Sequence, residues 1–401
     1  MFMTAKLAAR TQDLDRALDE VSTWLSSVWT LPCTPLHAGG PPSLLPTCFA
    51  VLACECCGVL EKISSKLQQA TAAYLVAQQS PESGYFEPGL IETRDLTSHS
   101  ATYIRLQATY FAVQALDALG QRPAHHLPLV DRLLSRDYTY GWLDGGPWHN
   151  PWLHSNNIMF ALSFLQVEHE RSLAPSYLQA LDSILDYLDE RQDPDSGLWQ
   201  PDSGRDDPNA VFAAYHFFPF YFWRCRRPNH VERIIDTTLR IQQDDGFFMA
   251  GGGGACEELD AVHTLVMMSL VTKYRDTDIF AALRKCSDAI LLSQQRDGGF
   301  RNYNTPQEMW LRKLLRSSRM DWLLLRRRML APEWRYSGWK PLSCPPRKSD
   351  VWAAWFRPLS VKLIADRYPD KFALNNNRGK YRRIPGLGWH DPLKIETSRR
   401  S

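Results

Sequence analysis

No stretch of this 401-residue chain approaches the roughly 18 uninterrupted apolar residues of a membrane-crossing helix, so no span is expected. An apolar signal-peptide core is missing too: Met1-Phe2-Met3-Thr4 runs straight into Lys6, Arg10, Asp13 and Asp15. Charge of one sign is equally scarce. The formal net charge of +2 gives no electrostatic case for a nucleic-acid partner, and none is expected. Cysteines number nine, yet Cys54, Cys56 and Cys57 have no second Cys/His pair nearby to complete a zinc site. They read as small apolar residues on a buried helix. Free thiols without a secretion signal lead to the expectation of a reducing cytoplasm.

What the chain does have is a recurring turn of glycine followed by an aromatic residue. It appears as Gln79 to Gly84-Tyr85-Phe86, as Tyr140-Gly141-Trp142, and as Gln192 to Gly197-Leu198-Trp199. Further copies are Gln242 to Gly246-Phe247-Phe248, Gln294 to Gly298-Gly299-Phe300, and Ser337-Gly338-Trp339. The spacing of roughly 50 residues is what stacked two-helix units leave in a sequence.

Amphipathic segments lead into most of these turns, and more apolar ones begin shortly after them. The spacing predicts amphipathic helices near 12–29, 66–79, 125–136, 176–191, 229–241 and 278–293. Apolar helices are expected near 46–63, 99–119, 154–168, 209–225, 258–273 and 349–367, several opening on Ser, Asn or Asp caps. Six of each, alternating, implies an all-α (α/α)6 toroid with the apolar set inside and the amphipathic set outside. One domain over 1–370 is expected, with an insertion at about 305–335 and a loop-like tail over 371–401. The inner helix N-termini would converge on one mouth, where their dipoles favour anionic groups.

The turns resemble the QW-type repeat of squalene–hopene and oxidosqualene cyclases and the related turns of protein prenyltransferase β subunits. Gln242-x-x-x-Gly246-x-Phe248 and Gln294-x-x-x-Gly298-x-Phe300 match best. The Gln79 and Gln192 copies carry one extra residue, and Gly141-Trp142 lacks the glutamine. The resemblance covers roughly 66–365 and implies a toroid in which each glutamine ties a helix end to the neighbouring repeat. It also implies isoprenoid chemistry, but the acidic D-x-D-D run of class II cyclases is missing. So are the D-D-x-x-D motif of class I synthases and the D-x-C pair of the prenyltransferase zinc site.

Candidate chemical groups gather at the expected inner-helix starts. Gly251-Gly252-Gly253-Gly254 allows close backbone approach and opens onto Cys256, Glu257, Glu258, Asp260 and His263. Cys256, Asp260 and His263 fall at i, i+4 and i+7 on one face, a spacing that can hold zinc with an open position. Alternatively Asp260 is a desolvated carboxyl with a raised pKa, usable as a proton donor. Trp148, Trp152, His154 and Asn157 form a second group, and His99 with Tyr103 a third. Tyr215, His216 and Phe218 belong to an aromatic run suited to a cation or a sugar face. Asp350 opens the last inner helix. The basic, aromatic stretch 310–328 suits an anionic membrane surface, which would make the protein peripheral on the membrane.

Three functions follow. The first is a prenyltransferase- or terpenoid-cyclase-like enzyme acting on an isoprenoid or lipid-like small molecule. In it, Asp260, His216 and His154 are catalytic, while His99, Tyr103, Trp148, Trp152, Asn157, Tyr215, Phe218, Glu257, Glu258 and Asp350 contact substrate. The second is a carbohydrate-active toroid, a polysaccharide lyase or unsaturated-uronide hydrolase, with an open groove edged by Trp148 and Trp152. The third is a non-catalytic binding toroid.

Overall fold

The computed structural model describes residues 2–88, 100–251, 253–303, 334–345, 348–372 and 379–399. In chain order the helices begin with α1 (Phe2–Val28), α2 (Leu44–Cys56), α3 (Ser65–Val76), α4 (Ala101–Ala118), α5 (Leu129–Leu133) and α6 (Arg136–Asp144). Next come α7 (Pro151–Ser172), α8 (Pro175–Arg191), α9 (Asp207–Tyr215), α10 (Phe218–Trp223), α11 (Val231–Arg240), α12 (Ala255–Val271) and α13 (Asp276–Leu291). The last two are α14 (Ala353–Arg367) and α15 (Pro392–Thr397). A two-stranded antiparallel ribbon, β1 (Trp334–Arg335) with β2 (Ser343–Cys344), lies between α13 and α14.

The inner ring closes through side-by-side packing of α2 on α4, α4 on α7, α7 on α9, α9 on α12, α12 on α14 and α14 back on α2. This is an all-α (α/α)6 toroid. The sequence explains which helix goes where. The inner helix α12 is buried on nearly every face from Ala255 to Val271. Outer α8 buries only the stripe Ala180, Leu181, Ile184, Leu185, Tyr187 and Leu188, the pattern of a helix lying on a ring rather than within one.

The turn glycines show why the repeat exists. Gly84, Gly197, Gly246 and Gly298 have φ of 71°, 72°, 95° and 90°, a region costly for residues with a Cβ. A Cβ at Gly84 would also lie 2.1 Å from His126 O, so the turn presses directly on the next unit. Each preceding glutamine fastens that contact. Gln79 Nε2 donates to Gly84 O and His125 O, and Gln192 Nε2 to Gly197 O and Asn229 O. Gln242 Nε2 donates to Gly246 O and Ala282 O, and Gln294 Nε2 to Gly298 O and Ala17 O.

Several expectations need correction. Gly141-Trp142 is no turn: both residues lie within α6, and the predicted helix 125–136 is replaced by the short α5 and α6. The inner helix expected over 209–225 breaks at His216-Phe217 into α9 and α10. Pro219 explains the break, because it lacks an N–H and its ring clashes with the carbonyl four residues earlier, that of Tyr215. The basic stretch 310–328 lies outside the described residues.

The C-terminal segment 379–399 does not trail away from the ring. Ile384, Leu387, Trp389 and Ile395 are all buried in the common core. Arg382 reaches the C-terminal ends of two inner helices, pairing with Glu55 of α2 and with Asp117 of α4 at 2.8 Å. Arg383 binds Asp117 at 2.6 Å and also pairs with Glu170 near the end of α7. Helix C-termini carry partial negative charge, so arginines are favoured at this face.

Candidate active site

Asp260 sits on the second turn of α12 and is fully buried. Cys256, one turn earlier, lies with Sγ 3.9 Å from each carboxyl oxygen. Burial pushes the Asp260 carboxyl pKa well above its usual range, and the charges of Glu257 and Glu258 push it the same way. Both causes favour the protonated form of the carboxyl. Around it, the Tyr215 ring of α9 packs tilted at 4.7 Å from that of His263, and the Tyr215 hydroxyl pKa is raised chiefly by burial. Tyr103 of α4 is raised by burial and by Cys256, and its ring lies 6.0 Å from that of Phe160 on α7.

Tyr336, carried by the loop between β1 and β2, closes this cluster from the side of the inner-helix N-termini. Its hydroxyl accepts from Gln107 Nε2 at 3.0 Å, and Gln107 Oε1 is buried with no partner among the described residues. The Tyr336 ring packs 4.7 Å from Trp352 and 5.0 Å from Phe49. The ring centre thus brings together one carboxyl, one thiol, three tyrosines and several apolar rings. Sequence reasoning missed Tyr336, because it follows a stretch with no readable period.

The other predicted residues disperse. His154 is turned outward: its Nε2 donates to Leu143 O of α6 at 3.0 Å, and its ring packs 4.7 Å from Trp148. Burial lowers its pKa to about 4, so it stays neutral. His216 lies in the wall between α9 and α7, with Nδ1 2.7 Å from Ser155 Oγ. That hydroxyl already donates to Trp152 O, so His216 Nδ1 is the donor, and burial lowers the histidine to about 3. Neither histidine meets Asp260. Phe218 faces the outer layer, 5.9 Å from Trp199.

Trp148 is buried beneath the Arg191 guanidinium at 4.1 Å, so it edges no open groove. Trp152 and Asn157 are half-buried, with Trp152 Nε1 and Asn157 Oδ1 unpartnered. Glu257 accepts from the Tyr303 hydroxyl at 3.2 Å. Glu258 accepts from Phe248 N at 2.7 Å and Met249 N at 2.9 Å, which clamps the preceding turn to the start of α12. Asp350 accepts from Ala353 N at 2.7 Å and Asn302 N at 3.1 Å, a capping role. Burial raises both carboxyls to about 7, against the pull of these N–H groups and of Arg357. His99 lies outside the described residues.

The zinc reading of Cys256, Asp260 and His263 does not fit the geometry. Among the described residues no three His, Cys, Asp or Glu side chains are arranged to hold a metal ion. His263 Nε2 instead donates to Trp389 O at 2.7 Å, which turns it toward the C-terminal segment.

No protein-family model matches the chain, and no curated protein matches it in sequence. Among solved structures it is similar to the type II terpene cyclase MstE from Scytonema, in complex with its substrate geranylgeranyl dihydroxybenzoate. That match has a TM-score of 0.51 at 11% identity, covering 90% of this chain and 99% of that one. It is also similar to a polysaccharide lyase (TM-score 0.49, 9% identity, 92% and 99% covered). A third is a glycosyl hydrolase of family 88 from Bacteroides vulgatus (TM-score 0.47, 12% identity, 90% and 99% covered). At 11% identity the likeness to the cyclase structure supports the toroid fold and nothing finer. No helix among the described residues is long and apolar enough to cross a membrane.

Proposed function

We propose that the protein is an acid-initiated isomerase or cyclase of an isoprenoid-like olefin, with Asp260 as the proton donor. The observation that carries this is a fully buried carboxyl on an inner helix, with Cys256 Sγ as its neighbour and a pKa raised by burial. Transfer of the Asp260 proton to a carbon–carbon double bond leaves positive charge on the adjacent carbon. The faces of Tyr103, Phe160, Tyr215 and Trp352 can stabilise that charge through their quadrupoles. Loss of a proton from a neighbouring carbon returns it to the carboxylate, so the cycle balances without a co-reactant. The Cys256 thiol orients the carboxyl. Tyr336 and the β1–β2 ribbon must swing aside to admit substrate from the side of the inner-helix N-termini.

The carbohydrate reading is less well supported, since Trp148 lies buried under Arg191 and offers no face to a sugar. Membrane association through 310–328 remains a proposal that would suit a lipid-like substrate.

The test is incubation with pooled prenyl alcohols, prenyl diphosphates and prenylated phenols in heavy water. Wild-type protein should give products carrying one solvent deuterium. Asp260→Asn should lose about a thousandfold in rate while remaining folded. Undiminished turnover by Asp260→Asn would overturn the assignment.

A further inference from the structure

Six parallel inner helices alone enclose a tube open at both ends. In this protein the end away from the N-terminal mouth is filled by the chain itself. Residues 385–389 enter between the inner helices and are held by side chains from four of them, three at mid-helix and one at the end of α9. Ser163 Oγ of α7 donates to Pro385 O at 2.9 Å, and Tyr110 Oη of α4 accepts from Leu387 N at 2.8 Å. Tyr215 Oη of α9 accepts from Gly388 N at 2.9 Å, and His263 Nε2 of α12 donates to Trp389 O at 2.7 Å.

The local sequence is suited to this insertion. Gly386 and Gly388 have φ of 136° and 83°, and a Cβ on Gly386 would lie 2.5 Å from Tyr110 Oη. Leu387, between them, is buried at the tip. Two of the four anchors belong to the site as well. His263 is less than one helical turn further along α12 from Asp260, and the Tyr215 ring packs 4.7 Å from that of His263. A ligand reaching Asp260 from the opposite mouth would therefore meet this segment within about 5 Å of further travel, the rise of one helical turn.

We propose that residues 385–389 are the floor of the binding chamber, with Leu387 setting the length of apolar chain that the ring accepts. This rests on the reading of the ring as a chamber for an isoprenoid-like ligand. The Arg382 and Arg383 ion pairs to Glu55, Asp117 and Glu170 fix the segment against the far face, so the floor has a defined height.

The experiment compares the full-length wild type with Leu387→Ala and Leu181→Ala. Leu181 is an equally buried leucine on outer helix α8, so its truncation makes a similar void outside the chamber. Thermal stabilisation is recorded with geraniol, farnesol and geranylgeraniol, and with decanol, pentadecanol and eicosanol. Leu387→Ala should extend the longest stabilising member by one step in each series, and Leu181→Ala should leave the wild-type profile in place. Leu387→Val, a smaller truncation, serves if the alanine variant does not fold.

An unchanged profile in Leu387→Ala, an equal extension in Leu181→Ala, or no stabilisation of any of these proteins overturns the floor. If the linear alcohols show the extension and no isoprenoid binds, the floor stands and the proposed substrate class falls.

Discussion

Gln294 and Ala17, at opposite ends of the ordered repeat, are joined by one hydrogen bond: the Gln294 side-chain amide donates to Ala17 O at 2.9 Å. The same amide donates to Gly298 O at 2.8 Å, so one side chain stitches the last outer helix to the first. Gln294→Ala leaves two carbonyls without this donor, and the expected cost is about 1–3 kcal/mol in urea unfolding. The distinguishing readout is local. Amide exchange should speed up in 14–28 of α1 in this variant and stay unchanged there in Gln242→Ala, whose clamp reaches Ala282 instead.

Glycines at two apparently similar turns should respond with opposite signs. Gly84 has φ of 71° and would place a Cβ 2.1 Å from His126 O, whereas Gly141 is helical with nothing within 4 Å. Gly84→Ala should cost on the order of 3 kcal/mol through backbone strain and overpacking. Gly141→Ala should stabilise α6 by roughly 0.5–1 kcal/mol, since alanine loses less entropy in a helix. Thermal melts of the two variants moving in the same direction would contradict the two environments.

That pair of glycines also marks how far the sequence could be read. A glycine at positive φ, preceded by a glutamine donor and followed by an aromatic ring, leaves a trace at fixed offsets, so the stacking of units was legible. Gly141-Trp142 imitated the trace without the glutamine, and the resulting turn was false. Side-chain direction on the inner helices was not legible, because a helix buried all round has no polar face to orient it. Asp260 and His154 therefore looked alike, though one packs on Cys256 of its own inner helix and the other binds Leu143 O of α6. Residues 379–391 are loop, but their seat in the ring was not legible, because the partners of Arg382 and Arg383 are Glu55, Asp117 and Glu170, far away in sequence.

The buried carboxyl of Asp260 should be visible in stability as a function of pH. Its folded pKa is raised above the unfolded value, so its contribution is fully present below the unfolded pKa of about 4. The contribution is then lost as pH rises toward the folded pKa. Asp260→Asn removes this loss. Relative to wild type, the variant should gain stability as pH rises above the unfolded value, by up to about 1.4 kcal/mol per pH unit, until the folded carboxyl itself ionises. A difference between the two proteins that does not vary with pH would mean that Asp260 is ionised in the folded state. His154, His216 and His263 act in the opposite sense. Their pKa values are lowered to about 4, 3 and 4, so their contributions hold above the unfolded histidine value and fade as pH falls.

His154 supplies the sharpest contrast with Asp260. Its ring fills the space between Trp148 and Gly146, whose added Cβ would lie 1.9 Å from His154 Cε1. Leu143 O, its hydrogen-bond acceptor, also receives Trp148 Nε1 at 2.9 Å, so truncation leaves that carbonyl satisfied. The loss in His154→Ala is therefore mainly a void, on the order of 2 kcal/mol. Because the ring never reaches the centre of the toroid, turnover per folded molecule should match wild type once the assay temperature is lowered to keep the variant native. A thousandfold fall in that rate, with the melting transition still well above the assay temperature, would return His154 to the site and require a proton path from His154 on α7 to Asp260.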